Sequence, residues 1–139
     1  MNPPKKLSIQ NNYTTNSLFV KTYSIISMGD NMFQTNDSVK HIYAEDLYNN
    51  ALIRLDQIID IRESFELQTM SLDGTLHIPM NTLLTYPEKF LSKNTQYYIL
   101  CRSGRRSYVL TEILSKKGYD LVNIVGGILV IEELKERQP

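Results

Sequence analysis

The fold of this chain is decided by residues 96–107, which run Gln-Tyr-Tyr-Ile-Leu-Cys-Arg-Ser-Gly-Arg-Arg-Ser. The first part of this stretch, 96–100, is mostly apolar and aromatic, which predicts a buried β-strand. Residues 106–117 then carry apolar side chains at helical spacing, and Gly118 provides a stop, so we predict a helix there. The only cysteine of the chain, Cys101, therefore lies between the end of a strand and the start of a helix.

The short loop that follows the strand is suited to hold an anion next to a nucleophilic thiol. The first N–H groups of a helix have no partner within it and carry the positive end of its dipole. Gly104 permits a loop conformation that aims further N–H groups at one point. Thiolates are favoured at helix starts and beside arginine, and guanidinium groups bind oxyanions through paired hydrogen bonds. We therefore predict that Cys101 is the nucleophile, and that an anionic substrate is bound by Arg102, Ser103, Gly104, Arg105 and Arg106.

A simpler interpretation of the same residues has to be weighed against catalysis. A lone cysteine is more often a small, buried apolar residue than a nucleophile. Arginines near the start of a helix are more often a solvated surface, although cations there oppose the helix dipole. The combination of strand, loop, helix and three arginines favours the catalytic interpretation.

The composition excludes several classes of function. Fifteen Lys and Arg residues balance 15 Asp and Glu residues, so no overall basic field attracts nucleic acid or an anionic membrane. A single cysteine forms no intramolecular disulfide and fits a reducing compartment, and no stretch is long and apolar enough to span a membrane. No secretory signal is evident, so we predict a cytoplasmic protein. His41 and His77 stand far from each other and from Cys101, so we predict no metal site and no cofactor.

The chain divides into a polar N-terminal segment and one domain. Residues 1–36 are rich in Asn, Thr, Ser and Gln without a sustained period, which predicts a disordered or loosely attached tail. A separate hypothesis, based on the run Met-Gly-Asp-Asn-Met at 28–32, is that the true start is Met32 and the residues before it are a mis-assigned extension. Residues 37–137 alternate strand and helix patterns, which predicts an α/β domain with a central, mainly parallel sheet of about five strands and helices on both faces. The predicted strands are 41–43, 57–61, 76–80, 96–100 and 121–125, and the predicted helices are 44–52, 83–91, 106–117 and 128–137. In the helix predicted over 83–91, Pro87 stands either in a first helical turn or at a break.

Four segments of this domain resemble, in order, the rhodanese family of sulfurtransferases in its single-domain form. Residues 58–63 (Ile-Ile-Asp-Ile-Arg-Glu) resemble the family's strand that ends in Asp-Val-Arg-Glu, and residues 77–79 (His-Ile-Pro) resemble its Asn-Ile-Pro strand. Residues 98–107 resemble its active-site loop. Residues 118–128, with Gly-Tyr at the start and Val-Gly-Gly-Ile at the end, resemble its closing segment. The resemblance extends over about 38–136.

This resemblance implies an enzyme that moves sulfane sulfur from thiosulfate or a persulfide donor to a thiophilic acceptor. The family's cysteine carries the sulfur as a persulfide, and Cys101 stands at its position. By the same resemblance, the amides of residues 102–106 cradle the persulfide, and Asp60 and Arg62 brace the loop through a charge pair. The donor anion would be bound by Arg102, Arg105 and Arg106. The implied partners are a small anionic sulfur donor and a thiol or protein acceptor such as a thioredoxin-like protein.

Some positions depart from the family pattern. Ser71 stands where the family usually has histidine, and Ile131 stands where its last helix usually has tryptophan. These changes bear on substrate preference and on packing rather than on the thiol loop. His77 is interpreted as a structural residue of its strand and not as a catalytic base.

Other functions stay open at this point. A non-enzymatic persulfide carrier or a regulatory binding module would be compatible with the same domain. A cysteine-dependent phosphatase would need an arginine six residues after its cysteine, because that spacing gives a loop large enough to enclose a phosphate. Here Ser107 occupies that position and Arg106 comes one residue too early. No acid for the leaving group is evident either, so we favour sulfur chemistry.

Overall fold

The computed structural model describes residues 39–138 and, N-terminal to them, the pair Lys21–Thr22. The predicted tail, 1–36, lies outside the described residues except for that pair, which forms a strand. Within the described residues, the strands are β1 (Lys21–Thr22), β2 (Lys40–Tyr43), β3 (Ile58–Asp60), β4 (Leu76–His77), β5 (Gln96–Leu100) and β6 (Asp120–Val125). The α-helices are α1 (Ala44–Tyr48), α2 (Met80–Thr85), α3 (Pro87–Phe90), α4 (Arg105–Ser115) and α5 (Gly127–Arg137), and short 3-10 helices cover Leu55–Gln57 and Ser64–Gln68.

The strands form one sheet in the order β1-β2-β6-β5-β3-β4. Five of these strands are parallel to one another: β2, β6, β5, β3 and β4. Strand β1 runs antiparallel to β2, on the side of β2 that faces away from β6. The predicted α/β fold with five parallel strands is therefore confirmed. Because parallel strands end at the same edge, the loop after β5 lies between the ends of β6 and β3. None of the helices in the described part of the chain has the length and apolarity that a membrane crossing needs.

Alternation along the strands sorts the core into two layers. Leu100 packs in one apolar cluster with Ile131 of α5, and Ile99 and Cys101 pack in the other with Leu110 of α4. Helices α1 and α5 thus cover one face of the sheet, and α2, α3 and α4 cover the other, as the sequence predicts. The Cys101 side chain consequently points to the face that α4 covers, where it meets the start of that helix.

Three predicted elements differ from the structure by more than two residues in extent, the first being the helix predicted over 44–52, which ends at Tyr48. The helix predicted over 83–91 is two helices, because Tyr86 has φ −128° and ψ 54° and interrupts the helical backbone. Its conformation follows from the next residue, since proline disfavours the helical region for the residue before it. Pro87 itself opens α3, where its missing N–H is not needed. The strand predicted over 76–80 is also shorter, because α2 already begins after Pro79.

Candidate active site

The loop after β5 is fixed by its contact with the start of α5. The N–H groups of Ile128 and Leu129 donate to the carbonyl oxygens of Cys101 and Arg102 at 2.9 and 3.2 Å. This approach requires glycine at position 127, where an added Cβ would lie 2.4 Å from the Arg102 oxygen. The loop carbonyls are therefore directed toward α5, and the opposite side of the loop is left to its N–H groups.

The sulfur of Cys101 is held by N–H groups from its own loop. Gly104, which has φ +100°, donates its N–H to Sγ at 3.1 Å, and the Ser107 N–H donates at 3.4 Å. The Ser107 hydroxyl adds a third contact at 3.3 Å, and the cysteine is only 1% exposed. The backbone N–H groups of four loop residues have no acceptor among the described residues: Arg102, Ser103, Arg105 and Arg106. The loop thus has hydrogen-bond donors to spare for an anion beside the thiol.

The three loop arginines have different surroundings. Arg102 and Arg105 are exposed, and within the described residues their side chains have no hydrogen bond or ion pair. The Arg106 guanidinium instead makes two hydrogen bonds to the Glu66 carboxylate, at 2.7 and 2.8 Å. Anion binding by all three arginines stays a prediction, but only Arg102 and Arg105 present a guanidinium without a competing carboxylate.

The Glu66 carboxylate is a functional group that sequence reasoning missed. Its hydrogen bonds from Arg106 lower the pKa of Glu66 to about 2, against the opposing effect of burial, and the Glu63 N–H adds to the lowering. The same contact raises the pKa of Arg106. The two residues are 40 positions apart, and only the acidic character of the segment after Arg62 hints at the pair.

We expect this pair to make stability fall in acid. The pKa of Glu66 is lower in the folded chain than its ordinary value of 4.5, so its stabilisation is fully present above that value and is lost as pH falls toward about 2. Glu66→Gln should therefore flatten the acid branch of the unfolding free energy between these limits. Urea titrations from pH 6 to pH 2 measure it, with Glu45→Gln as the matched exposed control. An unchanged acid branch in Glu66→Gln would contradict the pairing.

The predicted charge pair at the end of β3 forms, but it braces a different segment. The Arg62 guanidinium bonds the Asp60 carboxylate at 2.7 and 3.0 Å, and both side chains are almost fully buried. Arg62 also donates to the carbonyl oxygens of Met70 and Glu66, at 2.8 and 3.3 Å. The pair thus holds the segment 66–70, and it reaches the cysteine loop only through the Glu66 contact with Arg106.

The remaining residues singled out by the sequence make no hydrogen bond to the thiol in the described part of the chain. His77 contacts the Arg62 carbonyl oxygen through Nε2 at 2.8 Å, which fits the structural role expected for it. Ile131 is fully buried in the core under α5. Ser71 is exposed, in the irregular stretch directly after the segment 66–70.

A buried polar chain behind the thiol was also missed. The Ser107 hydroxyl is 2.5 Å from Oδ1 of Asn123, and Nδ2 of Asn123 is 3.2 Å from Nδ1 of His41. All three residues are at most 5% exposed. Asn123 and His41 are register partners on β6 and β2, so the strand pairing places them side by side. A polar residue inside an otherwise apolar strand is the only signal that the sequence offers for them.

Comparison with known proteins identifies the family of this domain. A family model described as the rhodanese-like domain matches residues 43–133. This chain belongs to the rhodanese-like sulfurtransferase family. YtwF of Bacillus subtilis (strain 168), which its name assigns provisionally to the sulfurtransferases, is 35% identical over 77 residues, covering 54% of this chain and 72% of that protein.

Two further relatives extend the comparison. YrkF of the same Bacillus strain, provisionally named a sulfur carrier protein, is 33% identical over 72 residues, which is 51% of this chain and 38% of YrkF. Among solved structures, a rhodanese-related protein from Thermoplasma volcanium superposes with a TM-score of 0.57 at 33% identity, covering 71% of this chain and 94% of that one.

Proposed function

We propose that this protein transfers sulfane sulfur from thiosulfate or a persulfide donor to a thiophilic acceptor through a persulfide on Cys101. The observation that carries the proposal is that the Cys101 sulfur accepts hydrogen bonds from the N–H groups of Gly104 and Ser107, in a loop with further N–H donors to spare. These donors are placed to stabilise negative charge on a sulfur attached to the cysteine.

The proposed reaction has two sulfur-transfer steps. The Cys101 thiolate attacks the outer sulfur of thiosulfate, forming a new S–S bond, while the S–S bond of the donor breaks and its electron pair leaves with sulfite. An acceptor such as cyanide then attacks the outer sulfur of the persulfide. That sulfur departs as thiocyanate, and the electron pair of the broken bond restores the cysteine thiolate.

Charge supports an anionic donor. Arg102 and Arg105 are exposed and without an ion-pair partner in the described residues, so their guanidinium groups are free to meet sulfonate oxygens. A thiol or a thioredoxin-like protein is the acceptor that we propose. A free cysteine as the nucleophile also supports a reducing, cytoplasmic location as part of the proposal.

Arg105→Ala is expected to weaken binding of the anionic donor selectively. Loss of one charge-assisted contact should raise the KM for thiosulfate by roughly tenfold or more. An uncharged organic persulfide donor should be affected much less. Steady-state kinetics with both donors measure the difference, and Arg54→Ala, which removes an exposed arginine paired with Asp56, is the matched control. Equal losses for the two donors would mean that the substitution deforms the loop.

A persulfide carrier that passes sulfur only to a protein is the second candidate, supported by the similarity to the YrkF sulfur carrier. An enzyme turns over many equivalents of thiosulfate with cyanide or a small thiol. A carrier accepts one equivalent of sulfur and keeps it until a partner protein is added. Counting sulfite released per protein, with and without cyanide, separates the two.

The proposed sulfur chemistry is tested against phosphate chemistry on one preparation. Position 107, where a phosphatase loop would need arginine, holds a buried serine in contact with the thiol. We therefore expect measurable thiosulfate consumption and negligible hydrolysis of aryl phosphates. Phosphatase activity that disappears in Cys101→Ser, with no sulfur transfer, would overturn the proposal.

A further inference from the structure

The hydrogen bonds of the polar chain behind the thiol have a direction, which follows from which of its atoms can donate and which can only accept. Its members are Cys101, Ser107, Asn123 and His41, joined in that order by contacts of 3.3, 2.5 and 3.2 Å. No member is more than 5% exposed, so the contacts are between these groups and not with bulk water. Cys101 packs in the apolar cluster under α4, Ser107 lies on α4 itself, and Asn123 and His41 are register partners on β6 and β2.

The arrangement in the structure suits a neutral thiol. The Oδ1 atom of Asn123 can only accept, so the Ser107 hydroxyl donates its one hydrogen to Asn123. The Ser107 oxygen then faces Cys101 with a lone pair, and the thiol S–H is the donor between them. At the far end, the Nδ2 group of Asn123 donates, so Nδ1 of His41 must be without a hydrogen.

A sulfur anion on Cys101 requires the opposite direction. It has no hydrogen to give, so the Ser107 hydroxyl must turn its hydrogen toward the sulfur and accept from Asn123 instead. The amide can do this by rotating so that Nδ2 faces Ser107 and Oδ1 faces His41. Oδ1 then needs a donor, and Nδ1 of His41 is the group in contact. Nδ1 must therefore carry a hydrogen when the cysteine sulfur is an anion.

We propose that His41 is a positioning residue for the Cys101 nucleophile, acting through Asn123 and Ser107. When Nδ1 of His41 carries a hydrogen, the hydrogen bonds run so that Ser107 donates to the sulfur anion. When Nδ1 carries none, they run the other way, and Ser107 accepts from the thiol. The proton that leaves the thiol goes to solvent, and the neutral imidazole changes tautomer, losing the hydrogen on Nε2 to solvent and taking one up on Nδ1. The importance of this for sulfur transfer rests on the proposed function, but the coupling itself is a property of the reduced protein.

Other titratable groups also surround His41. The Tyr108 ring of α4 stacks on the imidazole with centroids 5.5 Å apart. Lys40 precedes it on β2 and pairs with Asp120 of β6. Any pH titration of His41 therefore has to be compared between variants that differ only at members of the polar chain behind the thiol.

The test is nitrogen NMR of the ring of His41 in the reduced full-length protein, without any sulfur donor. The chain has two histidines, so labelling with ¹⁵N-histidine gives two ring spin systems, and His77→Gln assigns them. We expect the Nδ1 signal of His41 to shift toward the protonated position at the pH where iodoacetamide alkylation of Cys101 accelerates. This step in the pH titration of the Nδ1 signal should vanish in Cys101→Ala and in Ser107→Ala.

A matched variant and a rate measurement complete the test. Thr111→Val removes another buried hydroxyl of α4, one without a hydrogen-bond partner among the described residues, and should leave the shift unchanged. Ser107→Ala should also slow alkylation at pH 7 by about tenfold, the loss expected for one hydrogen bond to a charged group. The same His41 step in Cys101→Ala, or no step in the unaltered protein, would overturn the proposal. Neither result depends on whether the protein transfers sulfur.

Discussion

Cys101→Ser is expected to abolish sulfur transfer to cyanide. A serine hydroxyl is not ionised near neutral pH and does not form a stable bond to sulfane sulfur, so the covalent intermediate has no place to form. Removing the nucleophile of a covalent mechanism typically costs on the order of 10⁴ or more in kcat. Thiocyanate formation from thiosulfate and cyanide measures the loss.

The fold should tolerate this substitution, because serine differs from cysteine by one atom and the N–H groups of Gly104 and Ser107 can donate to its oxygen. Ser115→Ala, at the other end of α4, is the control and should keep the unaltered rate. Sulfur transfer by Cys101→Ser at more than a trace of that rate would refute Cys101 as the nucleophile.

Asp60→Leu is expected to be the most destabilising single substitution considered for this protein. It leaves the Arg62 guanidinium buried without its carboxylate, and breaking a buried pair in this way costs about 3–5 kcal/mol. That is a large part of the roughly 5–15 kcal/mol by which domains are stable. Urea unfolding of the variant and of the unaltered protein gives the difference in free energy.

Two variants show whether the cost comes from the orphaned charge. The double variant Asp60→Leu with Arg62→Met replaces the pair by apolar side chains and should recover much of the stability. Asp56→Leu breaks an exposed pair with Arg54 and should cost less than about 1 kcal/mol. Equal costs for Asp56→Leu and Asp60→Leu would contradict the buried bracing role.

The strand, loop and helix that carry Cys101 are predictable because their signals are local. Apolar residues continue to Leu100, Gly104 allows the turn, and α4 begins one residue before the predicted start. The family resemblance, rather than spacing alone, implies the Asp60 charge pair, whose partner Arg62 is two residues away at the same strand end.

What the sequence does not predict depends on which segments meet in space. Glu66 neutralises an arginine 40 residues away, and the segment that carries it has no pattern that announces a contact with the loop. Asn123 and His41 are 82 residues apart along the chain, and the pairing of β6 with β2 brings them together. The break at Tyr86 follows from a local proline rule, and Pro87 stands in the first turn of the next helix, so the two alternatives for this proline occur together.

Intact mass measurement of the protein after incubation with sulfur donors tests the central claim most directly. The reduced protein, treated with thiosulfate or a low-molecular-weight persulfide and freed of excess donor, should gain the mass of one sulfur atom. A thiol reductant should remove that gain, and Cys101→Ser should never show it. No gain with either donor, or the same gain in Cys101→Ser, would contradict a persulfide carried on Cys101.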